Sequence, residues 1–298
     1  MALTCAAAPG PVGRALLLAL ATAASAAAAS PRTTILPLGD SITFGCGDSQ
    51  SPACIARKEN VSCDILQSPC APCAYGYRYR LFETLNTSDP NRWGFVGTLK
   101  TGPLHKTPNK HAPDVPDGCD VVGSPCAHEG HPGWKTTDLS RAVVPKIGTP
   151  ALPAPDVILL HIGTNDIGEK HYLNASAAAT ETAMNLKTLI GQLIAKAPGA
   201  HVFVASIIAM PASCHFYGAT ANLTAQEEAY NMLVPGVVAS FGPATTFVDM
   251  KLETGLCDMN STEPSGCCPP QLHPNGIGYA KMAAVWAKAI AKRFPPFA

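Results

Sequence analysis

The sequence predicts one α/β domain, a three-layer α/β/α sandwich built on a parallel sheet. Two apolar runs carry most of that reading: Val157-Ile158-Leu159-Leu160-His161-Ile162 and Val202-Phe203-Val204-Ala205-Ser206-Ile207-Ile208. Near-continuous apolar runs of this length mark strands buried on both faces, as parallel sheets require. A stretch with helical character follows each of them, at 176–196 and 224–240. Strands alternating with helices imply right-handed crossovers and a sheet covered on both sides. No low-complexity linker or internal repeat interrupts the alternation, and 298 residues suffice for a sizeable core.

Each element follows from its local pattern. The first strand is Thr33-Thr34-Ile35-Leu36-Pro37-Leu38, with Pro37 near its end, and it runs into Gly39-Asp40-Ser41. The stretch 46–73 holds five cysteines and reads as an irregular insertion stapled by disulfides. Residues 76–85 have helical spacing, with Tyr79, Leu81, Phe82 and Leu85 as the apolar set. Phe95-Val96-Gly97 is a second strand candidate. The segment 101–135 is rich in Pro, Gly and His and reads as one long loop, a feature that usually carries function in a compact domain. Thr246-Phe247-Val248-Asp249 is a short strand, and the last helix, 276–294, begins after Pro274.

The N-terminus reads as an address. Arg14 precedes Ala15-Leu16-Leu17-Leu18-Ala19-Leu20, an alanine-rich run continues to Ala29, and Ala24-Ser25-Ala26 offers small residues for cleavage. These are the three regions of a secretory signal peptide, placed at 1–29. The expected mature protein is a single domain, 30–298, secreted to the extracellular space without a membrane anchor. Its C-terminal helix is interrupted by Lys281, Lys288, Lys292 and Arg293, which does not suit a membrane span. Secretion agrees with 12 cysteines, of which 11 outlast the removal of Cys5, and predicts disulfides. Cys70-Ala71-Pro72-Cys73 lacks the second C-x-x-C of a zinc ribbon, so no metal site is expected. Glycosylation sequons at Asn60, Asn86, Asn174, Asn222 and Asn260 fit the same compartment. Charged residues make up 14%, with 21 positive and 21 negative, so there is no excess of basic residues to hold nucleic acid. The 47% hydrophobic content excludes charge-driven disorder.

In open parallel sheets, ligands bind beyond the carboxyl ends of the strands. Three polar segments fall there: Gly39-Asp40-Ser41-Ile42-Thr43, Gly163-Thr164-Asn165-Asp166 and His273-Pro274-Asn275. A serine, a side-chain amide and a histidine supply a nucleophile, an oxyanion donor and a general base. Each segment alone also suits a turn or a helix cap; their order and strand context set them apart.

In that order they resemble the SGNH, or GDSL-type, hydrolase superfamily. Its remaining block, a glycine turn, is matched by His131-Pro132-Gly133-Trp134-Lys135-Thr136 through Gly133. More narrowly, ILPLGDSIT, GYRYRLFETL with the following FVG, and GHPGW are similar to carbohydrate esterase family three, which contains acetylxylan esterases. The resemblance implies a flavodoxin-like sheet and ester hydrolysis without a cofactor. It implies Ser41 as nucleophile and His273 as base. The oxyanion hole would be the Ser41 and Gly133 N–H groups and the Asn165 amide. Trp134 reads equally as a substrate wall or as ordinary packing. The implied substrate is an acetylated polysaccharide or another small ester, and the protein is expected to be a monomer.

One position departs from the pattern. The superfamily carries an aspartate three residues before the histidine, where this chain has Pro270. Asp258, Asp249, Glu263 or a backbone carbonyl remain as groups to orient His273. The run Cys267-Cys268-Pro269-Pro270 would hold the histidine loop covalently. Two other functions stay open: a lipase, lysophospholipase or thioesterase of the same superfamily, and a carbohydrate-binding protein on a catalytically weakened scaffold.

Overall fold

The computed structural model describes residues 33–46, 76–100, 127–170, 172–210, 222–256, 272–274 and 276–295. The signal segment, nearly all of the Cys-rich insertion, Asp258 and the run before His273 lie outside these residues.

The strands are β1 (Thr33–Gly39), β2 (Trp93–Phe95), β3 (Leu99–Lys100), β4 (Ala127–Gly130), β5 (Val157–His161), β6 (His201–Ala205) and β7 (Thr245–Val248). They form one sheet in the order β3-β4-β1-β5-β6-β7, with β2 also on β1. All pairings are parallel except β3 with β4. On one side β1 pairs with β5 along Ile35 to Gly39. On the other it meets β2 at Thr33 to Ile35 and β4 at Leu38 and Gly39.

Alternation along the strands divides the core in two. Leu36, Leu38, Ile158, Leu160, Val202 and Val204 face one cluster. There they meet α3 (Thr136–Ala142), α5 (Ala175–Lys196) and α6 (Asn222–Ala239). Ile35, Val157, Leu159 and Phe203 face the other cluster, under α2 (Tyr77–Ser88) and α8 (Gly276–Arg293). Every residue of β5 and β6 is buried, so these strands read as apolar runs. The result is the α/β/α sandwich expected from the sequence.

Two local expectations are corrected. The region 101–135 is not all loop, because Ala127–Gly130 forms β4. Its sequence hid this: His128 and Glu129 are polar, yet both are fully buried. The inward face of α2 is Tyr77, Arg78, Leu81 and Leu85, with Phe82 partly buried at its edge against Phe95. Leu81, Phe82 and Leu85 pack as expected, whereas Tyr79 is not part of the packed face. Among the described residues no helix is long and apolar enough to cross a membrane.

Candidate active site

β1 delivers the serine. Its last residue, Gly39, has no room for a side chain, since a Cβ would lie 2.2 Å from the His161 carbonyl oxygen of β5. Asp40 then caps a four-residue helix, α1 (Ser41–Phe44), its Oδ1 accepting the Ile42 N–H at 2.9 Å. Ser41 opens that helix and is 7% exposed.

The far end of α1 is pinned from α2. The fully buried Arg78 donates from Nε to the Thr43 carbonyl at 3.1 Å and from Nη2 to the Phe44 carbonyl at 3.0 Å. A cation on the last carbonyls of a helix satisfies their unpaired acceptors and the local dipole. Tyr279 of α8 donates to the carbonyl of Cys46 at 2.7 Å, and Cys46 is disulfide-bonded. Sequence reasoning passed over Arg78, because nothing in a helical pattern marks a guanidinium as buried.

His273 comes from the other end of the chain, 232 residues away, and its Nε2 lies 2.7 Å from Ser41 Oγ. Both side chains are buried, the histidine at 4% exposure. For Nε2 to accept the serine proton, the neutral ring must carry its hydrogen on Nδ1. Burial favours the neutral form and pushes the His273 pKa down to about 4. Nδ1 is buried with no hydrogen-bond partner among the described residues.

That observation corrects one expectation. Asp249 does not orient His273: its Oδ1 accepts the Leu252 N–H at 3.1 Å and the Ser206 hydroxyl at 3.2 Å. It caps α7 (Met250–Thr254) instead. Asp249→Ala should therefore cost about 1 kcal/mol of stability through the lost cap. Its kcat should stay within about threefold of wild type, whereas losing a histidine-orienting aspartate costs about 10⁴ in serine proteases. A thermal melt beside initial rates checks both values.

The glycine turn follows β4. Gly130 pairs with Gly39, and a Cβ there would strike Phe44 N at 2.4 Å, so β4 runs directly against α1. The turn closes through Trp134 N–H to the His131 carbonyl at 3.1 Å, and His131 N–H donates to the Gly39 carbonyl at 2.9 Å. Gly133 has φ +80°, the left-handed region, and a Cβ there would meet nothing within 4 Å. Backbone conformation, not crowding, calls for glycine. Trp134 is partly buried against the core, and one ring face stacks on His131 with centroids 3.8 Å apart.

α4 (Thr164–Glu169) holds this turn in place. Asn165 Nδ2 donates to the Trp134 carbonyl at 2.8 Å. Asp166 accepts the Thr136 N–H at 3.0 Å and its hydroxyl at 2.6 Å, so it caps the neighbouring α3 rather than its own helix. The structure thus joins Ser41 to His273 directly and ties the Gly133 turn to β1 and to Asn165. It also places two buried carboxylates beneath them. Burial pushes the Asp40 pKa up to about 7, the Ile42 N–H opposes it, and the charge of Asp166 adds to it. Thr164 stabilises the anion in part, although neither Asp40 Oδ2 nor Thr164 Oγ1 completes a hydrogen bond of normal geometry.

A buried serine hydroxyl held against an imidazole is an arrangement that can generate a nucleophile. Residues 102–281 match the model of the GDSL-like lipase/acylhydrolase family. The chain belongs to that family, and it is a carboxylic ester hydrolase. The matched residues include Gly133, Asn165 and His273 and begin after Ser41.

Solved structures share the fold, that of the SGNH hydrolases. A family 3 carbohydrate esterase from Clostridium thermocellum is 23% identical at a TM-score of 0.56, over 88% of this chain and 96% of that one. A carbohydrate esterase family 3 protein from Talaromyces cellulolyticus is 20% identical at 0.54, over 88% and 97%. Axe2, an acetylxylan esterase from Geobacillus stearothermophilus, is 14% identical at 0.51, over 88% and 95%. No curated protein sequence matches the chain significantly.

Proposed function

We propose that this acylhydrolase is a secreted serine esterase that removes acetyl groups from carbohydrate. The observation that carries the reading is the 2.7 Å contact between His273 Nε2 and Ser41 Oγ at the carboxyl end of β1. Ser41 Oγ attacks the ester carbonyl while its proton passes to His273 Nε2. The resulting oxyanion is received by the N–H groups of Ser41 and Gly133 and by the Asn165 amide. Collapse breaks the ester bond, and His273 returns the proton to the departing sugar hydroxyl. A water then gives its proton to His273 as it attacks the acyl-serine, and His273 passes that proton to the departing Ser41 Oγ, which releases acetate and restores the neutral imidazole. The acetylated-carbohydrate substrate is supported by fold neighbours that include a family 3 carbohydrate esterase and an acetylxylan esterase, and by Trp134 beside the glycine turn.

Secretion rests on residues 1–29, which leave 30–298 as the catalytic domain. Of the sequons, Asn174 is exposed, with its Oδ1 capping α5, which suits a glycan there. Asn86 instead donates its amide to the Phe82 carbonyl at 3.1 Å.

Comparing p-nitrophenyl acetate, a long-chain p-nitrophenyl ester and acetylated xylan tests the reading. Ser41-dependent release of acetate from the first and third supports it. A preference for the long chain would replace it with a lipase.

The base makes a second demand. Only neutral His273 accepts the serine proton, so activity disappears as pH falls through its pKa. Because burial places that value at about 4 rather than the usual 6.5, kcat/KM should stay flat down to about pH 5. Below about pH 4 it should fall tenfold per unit. His161, buried beside Gly39 in the sheet, is also lowered to about 4, so both histidines are neutral across the plateau. An acid limb at 6.5 or above that persists in Asp40→Asn would contradict the desolvated base; a limb near 7 that this substitution removes would belong to Asp40, whose carboxyl burial raises to about 7.

A further inference from the structure

The ester-hydrolase reading leaves a buried carboxylate beside the site unused. Glu129, on β4, has a side chain with no exposed surface. Its register partner is Leu38, three residues before the proposed nucleophile. A carboxylate is expensive in such a place unless each oxygen finds a donor. Here each does. Oε1 accepts the Thr98 N–H, and Oε2 lies 2.9 Å from His131 Nε2. Burial alone would raise the Glu129 pKa, but these donors outweigh it and hold the carboxyl below its ordinary value.

His131 passes this restraint on to the glycine turn. Its ring lies flat on the Trp134 indole, with centroids 3.8 Å apart and planes 10° apart. Its N–H holds the Gly39 carbonyl and its carbonyl accepts from Trp134. The Gly133 turn therefore hangs between two fixed points: the imidazole on one side and Asn165, bound to the Trp134 carbonyl, on the other. An apolar pair at 129 and 131 would fill the same volume at lower desolvation cost. What it could not supply is a directional bond that fixes the ring stacked on Trp134 in one orientation.

We propose that Glu129 and His131 are positioning residues for ester hydrolysis. The buried carboxylate locks the imidazole, and the imidazole holds the Gly133 turn and the Trp134 indole in the shape that receives the oxyanion. The inference rests on the Ser41 mechanism and extends it to two residues that touch neither substrate nor nucleophile.

The test separates positioning from bulk stability. Removing either partner leaves the other uncompensated, Glu129 in His131→Ala and His131→Phe and His131 in Glu129→Ala, so a thermal melt accompanies every rate. His131→Ala removes the ring, His131→Phe keeps it, and Glu129→Gln keeps the shape of the pair without its charge. Phenylboronic acid, which forms a tetrahedral adduct with an active serine, reads the oxyanion site directly. In His131→Ala, kcat on p-nitrophenyl acetate should fall about 10–100-fold, with KM within about threefold, as expected for a contribution felt in the transition state. Affinity for the boronate should fall by the same factor. His131→Phe keeps the stacked ring, and Glu129→Gln keeps an acceptor for Thr98. Each should recover part of that loss.

Folded variants with wild-type kcat and boronate affinity, differing only in melting temperature, would overturn the positioning role. Wild-type protein that neither binds the boronate nor shows Ser41-dependent turnover would remove the underlying mechanism, and this inference with it. Ser41→Ala run in parallel tells the two failures apart.

Discussion

Ser41→Ala should lower kcat by about 10⁵–10⁶, the scale seen when a catalytic serine is removed from a serine hydrolase. The cause is specific. His273 Nε2 lies 2.7 Å from Ser41 Oγ, so the variant leaves a base with no nucleophile to activate. The oxyanion donors remain and give a residual acceleration over water. The fold should barely notice. Asp40, which accepts the Ile42 N–H, and Arg78, which holds the Thr43 and Phe44 carbonyls, keep α1 in place. A circular-dichroism melt close to wild type beside the lost turnover separates chemistry from unfolding. Retention of even a hundredth of wild-type kcat would show that the reaction does not pass through Ser41.

Asn165→Ala should be the next most damaging change. Removing one oxyanion donor costs about 10²–10³ in kcat. Asn165 also donates to the Trp134 carbonyl at 2.8 Å, so its loss unties the Gly133 turn from α4. Both effects act on the transition state, and a fall of about 10³ in kcat with KM within about threefold is expected. Asn165→Asp should be no better, because a carboxylate donates neither to that carbonyl nor to an oxyanion. Steady-state kinetics on p-nitrophenyl acetate decide this. A rise in KM with kcat preserved would make Asn165 a substrate-binding residue instead.

The sheet was legible wherever apolar side chains did the work. Val157–His161 and His201–Ala205 are buried throughout, and their sequences show it. β4 was illegible for the converse reason. Its buried polar side chains have the composition of a loop: Glu129 is held by Thr98, 31 residues away, and by His131, while His128 accepts the Gly130 N–H on Nδ1 and has no hydrogen-bond partner for Nε2 among the described residues. The same holds for Arg78, whose acceptors lie 34 and 35 residues upstream. Ser41 and His273 could be paired across 232 residues only because the order of the motifs resembles a known superfamily. Spacing alone carried no such information. Asp249 shows the reverse error: a carboxylate near the end of a strand suits a triad, but the nearest unpaired donors belong to the helix it caps. Asp258, also considered for that role, lies outside the described residues.

Hydrolysis through Ser41 requires the acyl group to rest on that residue during turnover. Mixing the enzyme with p-nitrophenyl acetate, quenching with acid during the first turnover and locating the acetyl group by peptide mass spectrometry tests it directly. Acyl transfer through Ser41 predicts a burst of p-nitrophenol, acetyl on the peptide carrying Ser41, and neither signal in Ser41→Ala. Acetyl on another residue, or steady turnover in Ser41→Ala with no acetylated intermediate, would contradict it.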